Sequence, residues 1–293
     1  MRLSGRIALV TGASRGIGAA AARLLAAEGA HVIIAARTQG GLEELDDQIR
    51  AAGGSATLMP VDLTDFGTID RMGAAVFERW KKLDILIGNA ALLGGMGPVP
   101  HYRPEVWDET FALNVTANFR LIRSFDPLLR ASDAGRAVFV TSIAGRLPRA
   151  YWGLYSSSKA ALEMMVKCYA AEVEKTPLRV NLFNPNRTRT VMRAEFTGEV
   201  LSKPGAIEVK ILSTRPRWIS GLSAASTSLT AFCMYSMLEP SGPVMLIEKE
   251  PRSSTGANSF FSITNRMPAA SIDANAIAMI SQGIRSAKSS ALP

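Results

Sequence analysis

Ile7-Ala8-Leu9-Val10-Thr11-Gly12-Ala13-Ser14-Arg15-Gly16-Ile17-Gly18 decides how this chain folds. Four apolar residues running into glycine read as a buried strand that ends in a tight turn. The Ala/Leu-rich stretch 16–28 then has the composition of a helix. Glycines at 12, 16 and 18 permit a sharp turn, a close approach of backbone to a pyrophosphate, and close packing of helix on strand. The start of that helix aims N–H groups and the positive end of its dipole at the same place. A loose glycine pattern carries little weight. At the first strand–helix junction of a βαβ unit it stands in the context that phosphate cradling requires. Gly12, Ser14, Arg15, Gly16, Ile17 and Gly18 therefore read as a nucleotide-binding loop, with a purely structural turn as the alternative.

Outward from that loop the same alternation repeats. Apolar runs at 32–36, 56–61, 83–88, 137–141 and 179–183 read as strands, separated by amphipathic stretches that reach 52, 69–81, 104–130 and about 153–175. Strands that are apolar throughout and separated by helices specify a parallel sheet covered on both faces. Right-handed crossovers make the fold class α/β, a doubly wound parallel sheet. At the end of the second strand an acid would accept hydrogen bonds from a ribose 2′-hydroxyl and repel a 2′-phosphate. The chain has Ala35-Ala36-Arg37-Thr38 there instead. Arg37, with Arg15 as a second guanidinium, suits a phosphate dianion, so NADP(H) is expected over NAD(H). The alternative has Arg37 merely capping the sheet edge.

Composition narrows the function classes. In 293 residues there are two cysteines, Cys168 and Cys233, and two histidines, His31 and His101. The cysteines are too few for a disulfide framework or a four-thiolate zinc site, and with only these two histidines neither a histidine-based triad nor a multi-histidine metal site is expected. The net charge of +8 is spread without basic runs or interleaved aromatics, so it reads as a solvated surface rather than a nucleic-acid face. After Met1-Arg2 the first apolar stretch is the short strand itself, so a signal peptide is not expected and a cytoplasmic location is. The uncharged stretch 218–238 has the length of a membrane span, but its many Ser and Thr residues argue against one, and no membrane partner is expected.

Tyr155-Ser156-Ser157-Ser158-Lys159 places a phenol and an ammonium four residues apart, on one helix face. The cation favours the phenolate and so draws the phenol's pKa down toward neutrality, where it serves proton transfer. The spacing alone is common. Ser142, at the end of the fifth strand, lies on the carboxyl edge of the sheet, where open α/β folds bind ligands. Taken singly, Ser142 reads as a loop cap and Asn114 as a buried structural amide; as a set with Tyr155 and Lys159 they read as catalytic.

Together, Thr11-Gly12-Ala13-Ser14-Arg15-Gly16-Ile17-Gly18, Asp62-Leu63, Asn89-Ala90-Ala91, Asn114, Ser142 and Tyr155 with Lys159 resemble the short-chain dehydrogenase/reductase family over residues 3–192. The resemblance implies a Rossmann fold, a nicotinamide cofactor and the interconversion of alcohols with carbonyls. It implies that Asp62 contacts the adenine with Leu63 beside it, that Asn89 and Ala90 line the adenosine ribose, and that Thr190 contacts the carboxamide. Tyr155 would donate a proton to the carbonyl oxygen, Ser142 would hydrogen-bond that oxygen, Lys159 would bind the nicotinamide ribose and lower the Tyr155 pKa, and Asn114 would hold a water in a proton relay. A homodimer or homotetramer packed through the helices near 104–130 and 153–175 is implied as well.

Two departures stand beside the resemblance. Where such chains have Pro-Gly after the sixth strand, this one has Asn184-Pro185-Asn186-Arg187-Thr188-Arg189-Thr190, with Thr188 and Thr190 placed to reach the cofactor. Residues 1–193 hold nine serines and residues 194–293 hold seventeen. That division marks a cofactor and catalytic domain at 1–193, followed by an atypical Ser-rich region, partly disordered by expectation, in which 244–247 is the best candidate for a seventh strand. A lineage-specific extension and a reading-frame change both account for it. The expected function is an NADP(H)-dependent reductase of ketones or aldehydes, or a dehydrogenase of the corresponding alcohols, with an apolar substrate pocket of Leu92, Leu93, Met96, Ile143 and Trp152. The alternative is a nucleotide-binding protein of weak turnover that acts through assembly.

Overall fold

The computed structural model describes residues 1–185, 188, 190–192 and 194. The stretches 218–238 and 244–247, and the Ser-rich region from 195 onward, lie outside the described residues. Six parallel strands form one sheet in the order β3-β2-β1-β4-β5-β6. They are β1 (Ile7–Thr11), β2 (His31–Ala36), β3 (Ser55–Pro60), β4 (Ile85–Gly88), β5 (Arg136–Val140) and β6 (Arg179–Phe183). The helices are α1 (Gly16–Ala27), α2 (Gln39–Ala51), α3 (Phe66–Trp80), α4 (Pro104–Phe111), α5 (Ala117–Arg130) and α6 (Gly153–Glu172). This is the doubly wound Rossmann arrangement that the alternation of runs specifies.

Alternating side chains along each strand feed two cores. Ile7 and Leu9 join Ile33 and Ala35 under α3, α5 and α6, with Phe125 and Phe139 fully buried among them. Ala8 and Val10 join Val32 and Ile34 against Leu25 of α1 and Leu42, Leu45 and Ile49 of α2. Strands buried on both faces need apolar residues at every position, which is why these segments read as unbroken runs.

The stretch 104–130 is not the single helix that its periodicity suggests. Residues Ala112–Thr116 form a π-helical turn between α4 and α5. Such a turn shifts the register of the helix by one residue and is frequent at functional sites. Asn114 sits within it, fully buried.

At the amino edge of the sheet, Asp84 is buried and clamps three segments. It accepts hydrogen bonds from Arg6, Lys82, the Ser132 hydroxyl and the Ile7 N–H at 2.6–3.1 Å. Burial pushes its carboxyl up, but the bonds from Ser132, Ile7, Arg6 and Lys82 outweigh it and hold the pKa below the usual value. A carboxyl depressed on folding contributes stability above its unfolded pKa, and that contribution is lost as the pH falls through the folded value. Asp84→Asn should therefore destabilise the chain by about 1–3 kcal/mol at pH 7. The penalty should begin to shrink below about pH 4, where the carboxyl of the unfolded chain protonates, and go on shrinking as the pH falls through the lower folded value, as read by urea unfolding at pH 7 and in acid.

Candidate active site

Every residue singled out in the sequence for cofactor or catalysis, Asn114 and the α6 pair apart, follows the carboxyl end of a strand. The loop 12–18 follows β1, Arg37 follows β2, Asp62 and Leu63 follow β3, Asn89 and Ala90 follow β4, Ser142 follows β5, and Thr188 and Thr190 follow β6. Tyr155 and Lys159 lie in the first two turns of α6, and Asn114 in the π-helical turn.

The β1–α1 turn is built by close backbone packing. Gly12 and Gly16 adopt φ of 62° and 65°, in the left-handed region. A Cβ on Gly18 would lie 2.3 Å from the Gly12 carbonyl oxygen, and one on Gly12 would lie 2.9 Å from Ala90 Cα. The Asn89 amide nitrogen donates to the Thr11 and Gly12 carbonyls at 2.9 and 3.2 Å. Thr11 completes the junction: its hydroxyl donates to Ile87 O and accepts from the N–H groups of Asn89 and Ala90. Asn89 thus holds the loop itself. Thr190 lies across it, its methyl group 3.8 Å from a Cβ placed on Gly16. The first turn of α1 carries no acid, and Arg15 occupies the cap position. Backbone N–H groups of a first helical turn lack intrahelical acceptors. A turn open at its glycines and electropositive at its mouth fits the pyrophosphate of a dinucleotide.

The adenosine end reads differently residue by residue. Arg37 is exposed at the end of β2. Asp62 accepts from the Thr64 hydroxyl and N–H at 2.7 and 2.8 Å. Those bonds from Thr64, with the charge of Arg37 contributing, hold its carboxyl below the usual range. Leu63 is buried in the core beneath α3, so its side chain does not face the edge.

Tyr155, Ser142 and Lys159 do converge. Burial pushes the Tyr155 phenol above its ordinary pKa, and a hydrogen bond with Ser142 offsets part of that rise. The expected lowering by Lys159 is therefore overridden in the protein's own groups: the buried phenol stays protonated near neutral pH. Lys159, only 2% exposed, donates to Val140 O at 2.9 Å and lies 5.8 Å from the Tyr155 ring centroid. Burial lowers its pKa to about 8, and the nearby Glu163 carboxylate pulls it back upward. Ser142 also caps the short turn Ile143–Gly145, accepting from Ala144 N–H at 3.3 Å. The loop-cap reading and the catalytic reading are thus both physically served by one hydroxyl.

The Asn114 side-chain amide is fully engaged in this geometry. Its side chain donates to Leu92 O and accepts from Leu92 N–H, both at 2.8 Å, and donates to Ser158 at 2.9 Å. Ser158 passes the connection on to Tyr155 O at 2.8 Å. Asn114 therefore ties the segment after β4 to the helix that bears Tyr155. Of the residues expected to line an apolar pocket, Trp152 stands edge-on to Tyr155 with ring centroids 6.2 Å apart. The Tyr151 carbonyl, accepting from Gly97 N–H and the Tyr102 hydroxyl at 3.0 Å each, joins this corner to the segment after β4.

Sequence reasoning missed Thr11, Ser158, Thr141, Arg146 and Glu163. A signal existed for Glu163, which lies four residues beyond Lys159 and so continues the face that begins at Tyr155.

Comparison with known proteins agrees with this architecture. Residues 6–200 match the model of the short chain dehydrogenase family. The uncharacterized oxidoreductase YciK of Escherichia coli K12 is 38% identical over 195 residues, which is 66% of this chain and 77% of that protein. A chain from Shigella flexneri 2a complexed with NADP matches with a TM-score of 0.65 at 39% identity, covering 67% of this chain and 83% of that one. A chain from Escherichia coli CFT073 complexed with NADPH gives a TM-score of 0.64 at 39% identity, covering 67% of this chain and 82% of that one. A glycine turn fitted to a dinucleotide, a sheet wound to place it and a family match over two thirds of the sequence agree: this chain belongs to the short chain dehydrogenase family and is an NAD(P)-dependent oxidoreductase.

Proposed function

We propose that the protein reduces a ketone or aldehyde to the alcohol, or runs the reverse, with Tyr155 as general acid and base and with NADP(H) preferred over NAD(H). The observation that carries this reading is the meeting of the Tyr155 phenol, the Ser142 hydroxyl and the Lys159 ammonium at the carboxyl edge of the sheet. The bound cofactor supplies hydride to the carbonyl carbon. Gly12, Ser14, Arg15, Gly16, Ile17 and Gly18 hold its pyrophosphate, and Arg37 with Arg15 holds the 2′-phosphate. Asp62, Asn89, Ala90, Thr188 and Thr190 line the rest of the cleft, and Leu63 supports it from the core.

Tyr155 gives its phenolic proton to the carbonyl oxygen, so that a C–H and an O–H bond form as the C=O double bond becomes single. A phenol held protonated by burial is ready to donate. Ser142 hydrogen-bonds the same oxygen and offsets the charge developing on it. The Lys159 ammonium then stabilises the phenolate left behind. Asn114 keeps Tyr155's helix in register with the segment after β4. Residues 1–193 form the unit that does this chemistry. The preference for NADP(H) is supported by Arg37 in place of an acid and by the NADP and NADPH bound in the two solved relatives. A homodimer or homotetramer through α5 and α6 is supported by Phe119 and Met164, exposed at 47% and 61% on those helices.

Purified full-length protein given NADPH and a panel of ketones and aldehydes should oxidise NADPH in proportion to alcohol formed. Tight NADPH binding with no turnover across the panel would overturn the reading and favour a non-catalytic binding role. Tyr155→Phe should lower kcat by about 100-fold or more while NADPH affinity is retained. Arg37→Asp should invert the cofactor preference. Unchanged NADPH over NADH selectivity in that variant would remove Arg37 from the site.

A further inference from the structure

The strongest unassigned group is Glu163. It lies on α6 one turn beyond Lys159, 4% exposed, and both carboxylate oxygens are engaged. One accepts from the Thr141 hydroxyl at 2.8 Å, and the other accepts from Arg146 Nε at 2.7 Å. Thr141 immediately precedes Ser142. Arg146 follows the Ile143–Gly145 turn that Ser142 caps. The two bonds therefore grip the chain on either side of Ser142. Between them, Gly145 sits against α6 so closely that a Cβ would lie 3.0 Å from both Lys159 C and Ala160 N. A buried carboxylate is costly unless it is paired and hydrogen-bonded. Here both conditions are met where the Ser142 segment meets the Tyr155 and Lys159 helix.

We propose that Glu163 is a positioning residue of the active site: its carboxylate fixes the strand end and turn that carry Ser142 against the helix that carries Tyr155 and Lys159. The proposal rests on the catalytic reading of those three residues. An error of one ångström in such a constellation costs on the order of 100-fold in rate. The same carboxylate also acts on Lys159. It is the charged group that raises the Lys159 pKa against burial, while Arg146 and Lys167 face the carboxylate itself. Without it the Lys159 ammonium should lose its proton at a pH below about 8.

Glu163→Gln tests this, since it keeps the volume and removes the charge. Expected are a fall in kcat of about 10- to 100-fold, a smaller change in KM for the carbonyl substrate, and an alkaline limb of the kcat profile displaced to lower pH. Glu163→Asp should recover part of the rate. A Glu163→Gln protein that melts earlier yet keeps kcat and its pH profile within about twofold of wild type overturns the proposal, because a merely structural salt bridge behaves that way. Should that variant fail to fold, Thr141→Val and Arg146→Gln each remove one grip. Each is then expected to lower kcat without a matching change in KM, and unchanged kcat in both overturns the proposal. NMR titration of the Lys159 ammonium in wild type and Glu163→Gln needs no turnover. If no carbonyl is reduced even by wild type, the catalytic reading fails on its own. The Lys159 titration then still tests whether the Glu163 carboxylate acts on Lys159, a downward shift supporting that action and an unchanged titration overturning it.

Discussion

Backbone can meet backbone only where no Cβ intervenes, and the junction of β1, α1 and β4 is built on that constraint. Gly12 and Gly18 touch closely enough that a methyl group on either would collide with main chain, and the Asn89 amide bonds the carbonyls of Thr11 and Gly12. This is where the sheet order reverses direction, with β1 between β2 and β4. At such a switch point the helices of the two halves leave on opposite faces, and a crevice opens between them. Anything that enlarged the turn would move α1 off β1, displace Asn89 and fill the space a pyrophosphate needs. Fold and cofactor site therefore depend on the same few missing atoms.

A second constraint runs against stability. Burying the Lys159 ammonium costs free energy, visible as its pKa falling to about 8, and the chain tolerates that cost at the point where the charge is useful. Val140 O, the Tyr155 ring and Glu163 surround it. The phenol beside it is held neutral by burial rather than drawn toward phenolate. The pair is thus set with the proton on the phenol and a cation waiting for the anion that follows its departure.

Much of this is legible in the sequence. The four inner strands, β1, β2, β4 and β5, follow from nearly unbroken apolar runs, because they are buried on both faces, while the edge strands β3 and β6 carry Thr57 and Asn181 and are only partly buried. The glycine turn is legible because φ near +60° and contacts under 3 Å restrict the residue type. The π-helical turn at 112–116 is not, since an added residue in a helix leaves the apolar periodicity of Leu113 and Ala117 nearly intact. The direction of the Tyr155 shift is also hidden: spacing shows which groups share a face, but only the folded chain shows how dry that face is. Asn89 and Leu63 stand in the segments that the motifs indicate, yet Asn89 locks the loop and Leu63 fills the core. Glu163 is legible by its spacing from Lys159, but its partners at Thr141 and Arg146 are brought to it by the fold.

Whether the site moves hydride and proton onto one carbonyl is best decided by isotope transfer. The full chain is given a ketone and NADPH carrying deuterium at its transferable C4 position, and the alcohol is analysed by mass spectrometry and NMR. One deuterium on the carbinol carbon is expected for each NADP⁺ formed, with the hydroxyl proton drawn from solvent. NADPH that binds and is never consumed, or an alcohol that forms without deuterium, contradicts the mechanism.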